Sequence, residues 1–266
     1  MSESPGSRPE PPVPRHPGIY LLPNLFTTAG MLAGYFAIVS AFAGRYTEGA
    51  IAVFVAGLLD GIDGRVARLT NTQSDFGVQY DSLADLVSFG LAPSLVMYSW
   101  ALRELNAYGT TLGKIGWAAA FVYAACAAMR LARFNTQIGV IDKRYFQGLA
   151  SPAAAALLMS FVWTMSKLGV AGFEAAFVAL GVTLVAAILM VSRIRYWSFK
   201  AMPGSDRVPF IWAPVAMAII ALLVVHPQYF LFGITAIYVL SGPVMTLWGL
   251  RQRRNQRDSK RSADGS

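Results

Sequence analysis

The sequence is poor in the residues that carry most polar chemistry. Its 266 residues include one cysteine, Cys126, and two histidines, His16 and His226. One thiol cannot close an internal disulfide, and no Cys/His grouping has metal-ligand spacing, so thiolate metal or redox chemistry is excluded. The same scarcity argues against a mechanism centred on histidine. Charge is also short: Asp, Glu, Lys and Arg make up 14% of the chain, 55% is apolar, and the mean hydropathy is +0.49. An ordinary soluble domain is about one quarter charged. This composition reads against a soluble enzyme, and apolar runs close to the roughly 20 residues that cross a bilayer point to a polytopic membrane protein.

Eight candidate spans follow from those runs: Leu25 to Ala43, Gly49 to Arg68, Tyr80 to Trp100, Gly113 to Arg133, Ser151 to Lys167, Phe173 to Ser192, Pro209 to Val225 and Tyr229 to Leu250. The expected fold is an all-α integral membrane bundle of about eight transmembrane helices, with no room for a separate soluble domain. Basic residues support the count. If the N-terminus is cytoplasmic, 18 of the 22 Lys and Arg fall on the cytoplasmic side, and only Arg45, Arg103, Lys114 and Lys167 fall on the other. Such a bias is the usual mark of the inside face, so both termini are expected in the cytoplasm and the protein in the cell membrane. The expected organisation is a disordered arm over residues 1–18, a membrane domain over 19–250 and a basic cytoplasmic tail over 251–266. The tail reads as a topology determinant more than a lipid-binding device. Met and aromatic residues read as packing, lipid-facing or interfacial, and Cys126 as inert packing.

Only 14 residues are acidic, yet four of them, Asp60, Asp63, Asp81 and Asp85, close the second span and open the third. Asp60 and Asp63 are three apart and Asp81 and Asp85 four apart, so each pair shares a helix face. Antiparallel helices joined by a short polar loop bring the pairs opposite each other. Ionised carboxylates at membrane depth cost several kcal/mol unless paired or neutralised, which makes them functional candidates. Oxygen ligands without Cys or His select Mg²⁺, Mn²⁺ or Ca²⁺, and two such ions would cancel four charges and suit displacement at phosphorus. Spacing alone also allows a structural cluster paired with Arg65 and Arg68, or a cation or proton pathway.

The order of residues is more specific. Asp60-x-x-Asp63-Gly64-x-x-Ala67-Arg68, then eight residues, then Gly77-x-x-x-Asp81-x-x-x-Asp85 resembles the signature of the CDP-alcohol phosphotransferase family, matching all eight fixed positions. The resemblance implies that Asp60, Asp63 and Asp81 hold divalent metal, in the family's two-ion arrangement of Mg²⁺ or Mn²⁺. It implies that Asp85 contacts the second ion and is the catalytic base on the acceptor hydroxyl. Gly64, Ala67, Arg68 and Gly77 then correspond to positions lining the cytidine nucleotide and its diphosphate.

Pro23-Asn24-Leu25-Phe26-Thr27, Ser88 to Pro93, Arg130 to Asn135, Gly148 to Pro152 and Val191 to Tyr196 with Ser198 and Lys200 resemble the phosphatidylserine synthase branch. That branch implies transfer of a phosphatidyl group from CDP-diacylglycerol to L-serine in a lipid membrane. A zwitterionic acceptor needs a cation for its carboxylate, and Arg130, Arg133, Arg195 and Lys200 are candidates together with Asn135. A sister enzyme using glycerol phosphate or inositol phosphate, and more distantly a cation transporter, remain alternatives. No nucleic-acid partner is expected, and homodimerisation stays open.

Overall fold

The computed structural model describes residues 21–70, 74–136, 145–192, 194–197 and 212–263. The expected arm at 1–18 lies outside them. The described chain forms α1 (Leu21–Phe42), α2 (Tyr46–Thr70), α3 (Asp75–Asp85), α4 (Ala92–Trp100), α5 (Thr110–Thr136), α6 (Ser151–Lys167), α7 (Gly172–Val191), α8 (Trp212–Val225) and α9 (Pro227–Ala263). A π-helical turn, Leu86–Leu91, joins α3 to α4 into one rod, so the nine helices form eight rods that match the eight sequence-derived spans. The chain is a polytopic helical membrane protein.

Five of these rods are long and apolar enough to cross a membrane by length and composition: Pro23–Phe42, Asp75–Tyr108, Thr110–Thr136, Gly172–Val191 and Pro227–Thr246. α2 carries the first acidic pair, and α6 and the described part of α8 are shorter, with 17 and 14 residues. α6 is the central helix. Ala154, Ala155, Leu158, Met159 and Val162 are completely buried on it, and it packs against α2, α4, α7 and α9. Outward positions are apolar as well, including Leu32, Phe36, Trp117, Phe121, Val178, Ile188 and Leu240. Apolar residues both inside and outside are what lipid permits and water does not.

Small residues set the helix spacing, as expected where lipid gives no hydrophobic push between helices. α1 and α2 turn back at Gly44, whose φ of 74° suits glycine. Their crossing is lined by buried Ala37, Ala41, Ala50, Val53 and Ala56. The α9 register is held by hydroxyls: those of Ser160 and Thr235 lie 3.1 Å apart, and Thr164 donates to the Gln228 carbonyl at 3.0 Å.

Two boundaries differ from the sequence reading. α9 does not stop at Leu250 but runs to Ala263, because the basic tail is made of good helix formers that continue the last span. The all-α class holds, with one addition: an antiparallel ribbon pairs Tyr145–Gln147 (β1) with Arg195–Trp197 (β2). Three-residue strands leave no usable periodicity in sequence. The ribbon is anchored by Tyr196, buried against α9 and donating its hydroxyl to the Val239 carbonyl at 3.1 Å.

Candidate metal centre and acceptor face

α2 and α3 meet at the end of the bundle where α1 begins. Ser74 caps α3, accepting the Gly77 N–H at 3.0 Å from an extended backbone, which starts the helix in the register that turns Asp81 and Asp85 inward. Carboxylate oxygens of Asp60, Asp63 and Asp81 all lie within 4.8 Å of one another. These three and Asp85 line a recess of about 190 Å³, completed by Thr27, Gly30, Met31, Ala56, Ala84, Ser88 and Phe89. The spacing argument is therefore met in three dimensions: four acids from two helices converge on one small volume.

Asp85 stands outside the close triad but within hydrogen-bonding reach of Asp60. Asp63, only 5% exposed, accepts a hydrogen bond at 2.8 Å from Thr27 on α1. Like charges this close repel unless a proton or a cation lies among them. Arg65 is exposed, and the ion pairs Arg45–Glu48 and Arg103–Glu104 are remote from the acids in sequence. An all-oxygen donor set, partly buried, fits a hard divalent ion.

The other predicted residues divide into three groups. A Cβ built on Gly64, or on neighbouring Gly61, meets nothing within 4 Å, so both leave open space beside the acids. Gly77 instead sits against Ser74 and Asn24, where a Cβ would come 3.2 and 3.7 Å from their side-chain oxygens. The side chains of Ala67, Arg68 and Arg195 and the whole of Lys200 lie outside the described residues, although β2 carries the Arg195 backbone beside Gln147. On α5, Arg130 is half-buried, donates to Ser151 Oγ at 2.7 Å and faces Asp85 electrostatically, together with Tyr123 and Tyr238. Arg133 is half-buried one turn on. The Asn135 amide is used between helices, donating to Ser82 Oγ on α3 at 2.9 Å.

Residues 20–191, more than half of the chain, match the family model for CDP-alcohol phosphatidyltransferases. The chain belongs to this family. As a CDP-alcohol phosphatidyltransferase it has named relatives over most of its length. It is 36% identical over 224 residues to a CDP-diacylglycerol–serine O-phosphatidyltransferase of Helicobacter pylori J99, covering 84% of this chain and 90% of the relative. A Mycobacterium leprae protein of the same name is 29% identical over 91% of this chain and 78% of its own length. One from Bacillus subtilis is 33% identical over 67% of this chain and 91% of its own. The family uses divalent metals, and in this CDP-alcohol phosphatidyltransferase Asp60, Asp63 and Asp81 could hold such an ion.

Further supports of the site rest on contacts between distant residues. The π-helical turn directly follows Asp85, with the Ala92 N–H bonded to Val87 five residues back. Its sequence signal is Pro93, which has no N–H to offer the Phe89 carbonyl; the buried Tyr123 hydroxyl donates to that carbonyl at 3.2 Å. Ser88 pins the same turn to α1 through the Gly30 carbonyl at 3.1 Å, where Gly34 leaves room for it. Thr27 and Ser151 touch an acid and a base 36 and 21 positions away, distances that no local pattern encodes.

Proposed function

We propose that this protein transfers the phosphatidyl group of CDP-diacylglycerol to the hydroxyl of L-serine, yielding phosphatidylserine and CMP. The observation that carries the reading is the convergence of Asp60, Asp63 and Asp81 beside Asp85 in one recess, in a chain whose relatives bear that activity in their names.

Asp60, Asp63, Asp81 and Asp85 would hold the metal, and Mg²⁺ and Mn²⁺ suit these donors. Bound there, divalent ions would supply charge neutralisation to the diphosphate as its CMP half departs. Asp85 accepts the proton of the serine hydroxyl. The freed oxygen forms a bond to the phosphorus carrying diacylglycerol, the diphosphate P–O bond breaks, and CMP departs. Open space at Gly64 admits the nucleotide, and Ala67, Arg68 and Gly77 are assigned to it by the motif. Arg130, held by Ser151 and facing Asp85, receives the serine carboxylate through its guanidinium fork. Arg133 and Asn135 follow on the same helix, and Arg195 and Lys200 are assigned to the acceptor from the sequence alone.

The 18-to-4 division of basic residues supports placing the acids at the cytoplasmic face of the cell membrane, with both termini on that side and a membrane domain over 19–250. Arg45 and Arg103, two of the four minority cations, belong to one end of the bundle, since Arg103 reaches the Tyr46 hydroxyl at 3.5 Å.

The test is CMP release by the purified protein in detergent with Mn²⁺ or Mg²⁺, CDP-diacylglycerol and a panel of acceptors. Serine-dependent CMP is expected. CMP released only with glycerol phosphate or inositol phosphate would move the protein to a sister activity, and ion flux without CMP would make it a transporter.

A further inference from the structure

α1 carries no acid, yet it touches both helices that carry the motif acids. Thr27 Oγ1 lies 2.8 Å from Asp63 Oδ2 on α2. Thr28 Oγ1 lies 2.8 Å from the hydroxyl of Tyr80, the residue before Asp81 on α3. The Gly30 carbonyl accepts from Ser88 in the turn that follows Asp85. Of these contacts, only that of Thr27 reaches a carboxylate directly, and it is shielded: Thr27 is 6% exposed and Asp63 5%.

The Thr27 hydroxyl has one proton and two acceptors within reach, Asp63 Oδ2 at 2.8 Å and the Pro23 carbonyl at 3.1 Å. An ionised carboxylate is the stronger acceptor, so the proton goes to Asp63. The contact consumes one oxygen of Asp63 and fixes the plane of its carboxylate. A buried carboxylate rotates about its last torsion with little resistance unless something holds it. Groups that orient metal ligands in this way change metal affinity even though they never touch the ion.

We propose that Thr27 is a positioning residue for the metal centre: it holds Asp63 Oδ2 from α1 so that the other carboxylate oxygen is presented to the ion. The proposal rests on the reading of Asp60, Asp63 and Asp81 as metal ligands.

The test measures Mn²⁺ binding by the full chain in detergent, from the electron paramagnetic resonance signal of free Mn²⁺, without substrate or turnover. Thr27→Val keeps the side-chain shape and removes the hydroxyl, and its Mn²⁺ affinity is expected to fall about 10- to 100-fold. Thr27→Ser restores the hydroxyl and should return affinity to within about threefold of the unaltered protein. In an Asp63→Asn background, Thr27→Val should add no further loss, because the group it positions is gone. Thr27→Ala provides the same comparison if the valine variant does not fold. Undiminished Mn²⁺ affinity in Thr27→Val or Thr27→Ala, or a serine variant as weak as the valine one, overturns the positioning role and leaves the metal site standing. An unaltered protein that binds no Mn²⁺, or an Asp63→Asn variant that binds it normally, overturns the metal site itself.

Discussion

Two pairs of glycines, one pair at each end of the bundle, are used in opposite ways. At the acidic end, Gly61 and Gly64 face open space, with nothing within 4 Å of a built Cβ. At the other end, a Cβ on Gly116 would run into the Leu102 carbonyl, and one on Gly172 into the Trp100 carbonyl. That end is sealed by Trp100, Leu102 and Leu105, all buried, and by the stacked rings of Tyr108 and Phe173, 5.0 Å apart. Gly116 and Gly172 serve close packing, while Gly61 and Gly64 leave room. Polar groups follow the same division: the four clustered carboxylates line the recess between the helices. The difference teaches that one end is built for rigidity and the other for occupancy.

The largest expected effect that sharpens this contrast is at Asp85. Asp85→Asn keeps the shape of the side chain and removes a proton acceptor, so CMP release should fall about 10²- to 10⁴-fold with folding intact. A rate near that of the unaltered enzyme would remove Asp85 from the role of base. Chelation with EDTA should likewise abolish CMP release, and added Mn²⁺ should restore it; activity persisting in chelator would break the metal reading. Next comes Arg130→Lys, which retains charge but loses the fork. The KM for serine should rise about tenfold or more, as for a lost hydrogen bond to a charged group, while that for CDP-diacylglycerol stays nearly constant.

The opposite end predicts the reverse pattern. Gly116→Val should lower stability by about 1 to 3 kcal/mol through overpacking, seen as a reduced melting temperature in detergent, with turnover per folded molecule retained. Smallest in stability is Gly64→Ala. Nothing opposes its methyl group, and an alanine in a helix gains about 0.5 to 1 kcal/mol over glycine, so the melting temperature should hold or rise while the KM for CDP-diacylglycerol increases. Loss of folding in Gly64→Ala together with tolerance of Gly116→Val would dissolve the distinction between the two ends.

Much of the site was legible in the sequence because the motif is local. Asp60 with Asp63 and Asp81 with Asp85 sit at helical spacing on consecutive helices, and the short connection leaves few ways for them to miss one another. Glycine was less legible, since Gly64 and Gly77 occupy equivalent-looking motif positions but only Gly64 is open while Gly77 lies against Ser74 and Asn24. Asn135 looks like an acceptor residue from its place after Arg130 and Arg133, and its amide ties α5 to α3 through Ser82. The eight rods were readable from apolar length alone. The ribbon between Tyr145–Gln147 and Arg195–Trp197 was not, because its partners are some fifty residues apart and each is too short to show a period.

By itself, the sequence determined the membrane class, the rods and the acidic motif, since each follows from composition or from neighbours within one or two helical turns. Tertiary structure decided that α1, without any acid, braces both helices that carry the motif acids, and that Arg130 meets Ser151 and faces Asp85. It also decided which glycines give room and which give contact. The physical reason is range. Hydropathy and helical spacing are properties of adjacent residues, whereas the partner of a hydroxyl or a guanidinium is chosen by how whole helices cross.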